Sequence, residues 1–163
     1  MKGILHEKGF RVYTYMDIVM KPIQKEVAQY NWLIAEYDCN NYIEAIPIDK
    51  EYVWISGDEL INILNQNKIQ FIWGIFSAFP QDVLLSEILS YGIPSIEENY
   101  KKLYGTNPVG VQHPLAVMDM VPCDSSWFIL ISKDNTIVDK FIAAFPESRD
   151  LEAYNAEHTR KRD

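Results

Sequence analysis

A nearly continuous apolar run, Ile69-Gln70-Phe71-Ile72-Trp73-Gly74-Ile75-Phe76-Ser77-Ala78-Phe79, stops at Pro80. β-Branched and aromatic residues dominate it, the pattern of a strand buried on both faces. It is too short to cross a bilayer as a helix. The run predicts the central strand of a sheet, with the other elements packed around it. Gly74 within it predicts close approach by a helix or a neighbouring chain.

Upstream, residues 2–5 predict a short first strand. Residues 11–20 carry Val12, Met16, Val19 and Met20 at helical spacing and predict a helix that Pro22 ends or kinks. Their β-branched and aromatic content also permits a strand. Residues 31–38 alternate as a strand, with Trp32, Ile34, Glu36 and Asp38 on one face and Leu33, Ala35 and Tyr37 on the other. Cys39-Asn40-Asn41 reads as a turn. Residues 42–50 are irregular or a short edge strand marked by Pro47. Tyr52-Val53-Trp54-Ile55 is a strand that runs into a capping box, with Ser56 at the N-cap and Glu59 at N3. Leu60, Ile61 and Leu64 make the buried stripe of the next helix, which frays at residues 65–67.

Downstream, residues 81–91 predict a helix with Leu84, Leu85, Ile88 and Leu89 on one face, closed by Gly92. Ser95 and Glu98 form a second capping box before Ile96, Tyr100, Leu103 and Tyr104, and Gly105 ends that helix. Residues 106–114 form a loop. Residues 115–121 and 126–132 predict a hairpin joined by Pro122-Cys123-Asp124-Ser125. Asp134 or Asn135 caps a helix striped by Ile137, Val138, Phe141, Ile142 and Phe145. Ser148 starts a short polar helix to about residue 157. These elements predict one α+β domain over residues 1–163, with residues 158–163 a frayed tail. Its sheet has five to six strands, mostly antiparallel or mixed, and four to five helices pack on it.

Composition narrows the function classes. A chain of 163 residues that is 48% hydrophobic buries a real core. A net charge of -8 argues against nucleic acid and anionic membranes as direct ligands, and suits solubility or a basic protein partner. Abundant Ile, Asn, Lys and Tyr point to an AT-rich bacterial genome. The first eight residues hold no apolar signal region and include Glu7, so the expected location is cytoplasmic. Cys39 and Cys123 read as free thiols.

Chemistry-bearing motifs are sparse. His6, His113 and His158 have neither the i, i+4 spacing nor the cysteine pairs of a zinc site. No phosphate-binding loop or Gly-x-Ser-x-Gly elbow appears. The sequence therefore assigns no catalytic residue, metal ligand or cofactor. Asp119 lies in Leu115-Ala116-Val117-Met118-Asp119-Met120-Val121, on the face of Val117 and Val121. The preferred reading is an exposed position or an edge-strand gatekeeper. If buried, it would have a raised pKa and could act as a general acid or base.

The acidic stretch from residue 36 to residue 59 is the strongest lead. It holds Glu36, Asp38, Glu44, Asp49, Glu51, Asp58 and Glu59 against Lys50 as its only base, whereas the rest of the chain has sixteen acids and fourteen bases. Tyr37, Tyr42, Tyr52 and Trp54 are interleaved with it. Charge steers an encounter and large aromatics anchor it. Glu36, Tyr37, Asp38, Tyr42, Glu44, Asp49, Glu51 and Tyr52 are therefore the candidate partner-binding residues. The competing reading is a solvated edge with its aromatics in the core.

In size, acidity, aromatic richness and want of a catalytic motif, the chain resembles the immunity proteins that bacteria make against polymorphic toxins. Other small single-domain bacterial proteins share that character, and the likeness is one of the whole chain rather than of any motif. The resemblance implies a non-catalytic binding protein that inhibits a basic toxin, often a nuclease domain, by occluding its active site. The alternative is an enzyme or small-molecule binder with a pocket near Asp119, His113 and Trp127. Convergence of those three residues in space would favour it.

Overall fold

The structure is a computed structural model and describes residues 1–7, 14–95 and 108–159. The strands are β1 (Lys2–His6), β2 (Tyr30–Cys39), β3 (Tyr52–Ser56), β4 (Phe71–Pro80), β5 (Met118–Cys123), β6 (Trp127–Ser132) and β7 (Arg149–Asp150), the first six rich in apolar residues. They form one seven-stranded sheet of order β3-β2-β4-β5-β6-β1-β7, in which every neighbouring pair is antiparallel. The α+β expectation holds, and the sheet exceeds the predicted five to six strands. β7 is the strand with no sequence signal: it is two residues long and pairs with β1 at Leu5 and Ile4.

The apolar run from residue 69 is an interior strand, as its composition required, but β5 is the middle one. Burial on both faces marks a strand as interior without saying how far from the edge it lies. Helices cover both faces. On one, α1 (Met16–Met20), α2 (Gln24–Val27), α3 (Gly57–Gln66) and α5 (Asn135–Ala144) meet Trp32, Ile34, Phe76, Met120 and Leu130. On the other, α4 (Leu85–Ser90) places Ile88 against Leu33, Ala35 and Phe79. Beside it, α6 (Leu151–Thr159) places Leu151 against Leu5, Ile129 and Ile131.

Several boundaries are set by caps and turns. The helix within residues 11–20 begins at Met16, and Pro22 sits in a 3-10 turn, Lys21–Ile23, that leads into α2. Pro is accommodated there because the first turn leaves its N–H position unpaired in any case. Residues 11–13, the second capping box with its helix over residues 96–105, and residues 160–163 lie outside the described residues. Residues 81–84 form a turn, so α4 is shorter than expected, and Gly92 lies beyond it at φ +92°. β5 starts at Met118 and runs through Pro122. The β4–β5 ladder keeps one register but skips the positions opposite Pro122 and Val121, where Pro122 brings no N–H. Asp150, rather than Ser148, receives the first-turn amide of α6, from Ala153 at 2.9 Å.

Ser56 is the N-cap of α3, as predicted: its Oγ accepts from the Glu59 N–H at 3.3 Å, the half of the capping box that the structure shows. Replacing Ser56 by Ala leaves that amide to water, and urea denaturation should show a loss of about 1 kcal/mol.

Candidate functional site

The acidic residues up to Glu51 lie at one end of the sheet edge, and Asp58 and Glu59 lie past the other end of β3. β3 is the outermost strand and pairs with β2 over Asn31–Ala35, so the last residues of β2 run on beyond it. There the strand bulges. Glu36 adopts φ +46°, and the β2–β4 register shifts between Ala35 and Asp38 and shifts back between Asp38 and Cys39. One inserted residue exchanges the faces of the residues after it. Tyr37 and Cys39 consequently join the cluster of Trp32 and Ile34, which corrects the expectation that Glu36 and Asp38 share that face. Gly74 lies opposite this bulge; a Cβ there would meet the Phe76 ring first, at 3.3 Å, and Tyr37 Cβ on the neighbouring strand only at an ordinary contact distance of 3.5 Å.

Glu36, Asp38, Glu44, Asp49 and Glu51 are all exposed. The aromatics among them are half-buried. Tyr37 Oη donates to the Pro47 carbonyl, and Tyr42 Oη donates to Asp38 Oδ1 at 2.8 Å. Burial pushes both phenols above their ordinary pKa, with the nearby Asp38 or Asp49 carboxylates adding to it. Asn40 exchanges backbone and side-chain bonds with Gln70 at 3.0 Å, which ties the start of the loop to β4. The loop over residues 40–51 is thus held by its tyrosines, and its carboxylates point to water. Tyr52 packs on the opposite face with Trp54. Sequence reasoning missed Ile48, which is 73% exposed between Pro47 and Asp49. Its only signal was an isoleucine outside any periodic stripe.

Asp119 corrects the expectation of an exposed or edge position. It lies on the middle strand and is fully buried. Its Oδ1 accepts from Ser77 Oγ at 2.7 Å across β4, and its Oδ2 accepts from the Gln112 backbone N–H at 2.6 Å. Burial pushes its pKa up to about 6, against the opposing pull of these bonds and of Lys133. The carboxylate pins the loop before β5 onto the sheet. The Gln112 side-chain amide beside it is buried, with neither polar atom bonded among the described residues.

His113 is buried with Nε2 3.0 Å from the Ile88 carbonyl and Nδ1 3.2 Å from the Leu115 N–H. An amide can only donate, so Nδ1 accepts and Nε2 carries the proton. The ring is neutral, in keeping with a pKa lowered by burial. Both nitrogens are occupied away from Asp119. Trp127 pairs with Cys123, four residues along β5 from Asp119, a separation of roughly 13 Å. The fold therefore does not bring Asp119, His113 and Trp127 together. Cys39 and Cys123 are free and buried. Among the described residues no group of His, Cys, Asp and Glu could hold a metal ion, and no helix is long and apolar enough to cross a membrane.

Comparison with family models, curated proteins and solved structures gave no match.

Proposed function

We propose that this chain is a non-catalytic binding protein of the immunity-protein kind, which neutralises a basic toxin domain by occluding it. The observation that carries this reading is the outward placement of Glu36, Asp38, Glu44, Asp49 and Glu51 around one end of the sheet, with Lys50 the only base in that stretch. Such a surface attracts a cationic partner at long range and repels anionic ones. Exposed Ile48, next to Asp49 in the same loop, offers a partner an apolar contact beside the carboxylates.

The test is charge reversal of Glu36, Asp38, Glu44 and Glu51 to Lys. These side chains are exposed, so the variant should fold with an unchanged circular dichroism spectrum. Capture of a basic protein from native lysate should fall by about tenfold or more, and the wild-type capture should fade as salt is raised. Coexpression should restore growth to cells making the captured protein. Undiminished capture by the reversed variant would sink the acidic-surface reading.

A further inference from the structure

β3 is a sheet edge, and among the described residues no strand pairs with its outer side. It comprises Tyr52-Val53-Trp54-Ile55-Ser56, with no proline and no charge within it. Its pairing with β2 is in register over the whole strand, from Asn31↔Ser56 to Ala35↔Tyr52. Among the described residues, no loop or helix backbone bonds to its other side. Sheets commonly blunt such edges with a bulge, a proline or an inward charge, because unpaired N–H and C=O groups template another strand. The other edge, β7, is two residues long and offers no comparable template.

Resting on the binding reading above, we infer that the partner adds an extended basic segment to β3, continuing the sheet by one strand. Its main chain would take the free donors and acceptors of the edge. Its alternate side chains would lie beside Tyr52 and Trp54 on one face and Val53 and Ile55 on the other. Charge selects the occupant. Glu51 adjoins one end of the strand, and Asp58 and Glu59 lie just past the other, with no base between residues 51 and 59. A second copy of β3, in either direction, would bring carboxylates against carboxylates, which disfavours self-pairing. A segment with Lys or Arg flanking apolar residues meets an opposite charge at each end.

The probe is a short end-capped peptide of valines flanked by lysines at both ends, compared with the same peptide N-methylated at alternate residues. Both carry the same charge, and only the first can complete a ladder. With full-length protein, the unmodified peptide should slow amide hydrogen exchange within residues 52–56. The N-methylated peptide should bind about tenfold or more weakly, the loss expected when several main-chain bonds are removed. Equal affinity without protection of β3 overturns strand addition and leaves the acidic-surface reading standing. Binding of neither peptide also overturns it, and the charge-reversed capture then decides whether the broader reading falls as well. Protection of β3 without peptide, with a doubled mass in solution, would make the occupant a second copy and overturn the choice of a basic segment.

Discussion

Replacing Gly57 by Ala lowers the stability of the domain by about 3 kcal/mol, the upper part of the range for forcing an atom into a packed site. Gly57 is the first residue of α3, directly after the Ser56 cap. A Cβ there would lie 2.0 Å from the Val27 carbonyl oxygen and 2.9 Å from Ala28 Cα. These are backbone atoms, so no side chain can swing aside. The same carbonyl accepts the indole N–H of the fully buried Trp32 at 3.0 Å. Moving α2 to admit a methyl group would therefore strain that bond as well. Urea denaturation should place the variant's midpoint well below that of the wild type, and thermal unfolding should fall by roughly 10 °C for a domain of this size. Gly110→Ala is the control. Among the described residues its added Cβ meets nothing nearer than Met1 Sδ at 3.9 Å, so its stability should stay within about 0.5 kcal/mol. Equal stability of the two variants would refute the close packing of α2 on α3.

Asp119 makes the domain more stable in mild acid than its other carboxylates would suggest. Its pKa rises on folding from 3.8 to about 6. Between those values the native state holds a proton that the unfolded chain has released. The contribution of Asp119 is therefore fully present below about pH 4 and is lost as the pH rises through 6. A shift of about two units corresponds to about 3 kcal/mol. Asp119→Asn removes the titration and keeps both bonds, with Oδ1 accepting from Gln112 and the amide donating to Ser77. The difference in stability between this variant and the wild type should grow in the variant's favour from pH 4 to pH 7. Asp119→Leu behaves differently. It leaves the Gln112 N–H and the Ser77 hydroxyl buried without a partner, at about 1–3 kcal/mol each. It should be destabilised, with no comparable pH slope. Denaturant titrations of the three proteins at pH 4, 5, 6 and 7 separate these effects. A pH-independent difference between wild type and Asp119→Asn would show that the buried carboxylate does not titrate in this range.

Local patterning decided much of this fold before any tertiary contact. The run at residues 71–80, the alternation from Trp32 to Ala35, the Ser56–Glu59 capping box and the stripe from Ile137 to Phe141 are short-range features. Their side-chain periods and caps are written in neighbouring residues. So is the excess of acid between residues 36 and 59. Strand order is not local. Only the packed sheet puts β5 in the middle and β3 at the edge, because any strand covered on both faces reads alike. The two-residue β7 is too short to have a period at all. The bulge at Glu36 is likewise tertiary: nothing nearby in sequence requires a non-glycine residue at φ +46°, yet that one inserted residue turns Tyr37 inward. Asp119 shows the same division. Alternation gave it a face, and the fold decided that the face was buried and that Ser77 and Gln112 would meet it there. The sequence thus set the composition of each element and the charge of the proposed docking edge. Burial and strand neighbours, which depend on contacts between distant residues, came from the tertiary structure alone.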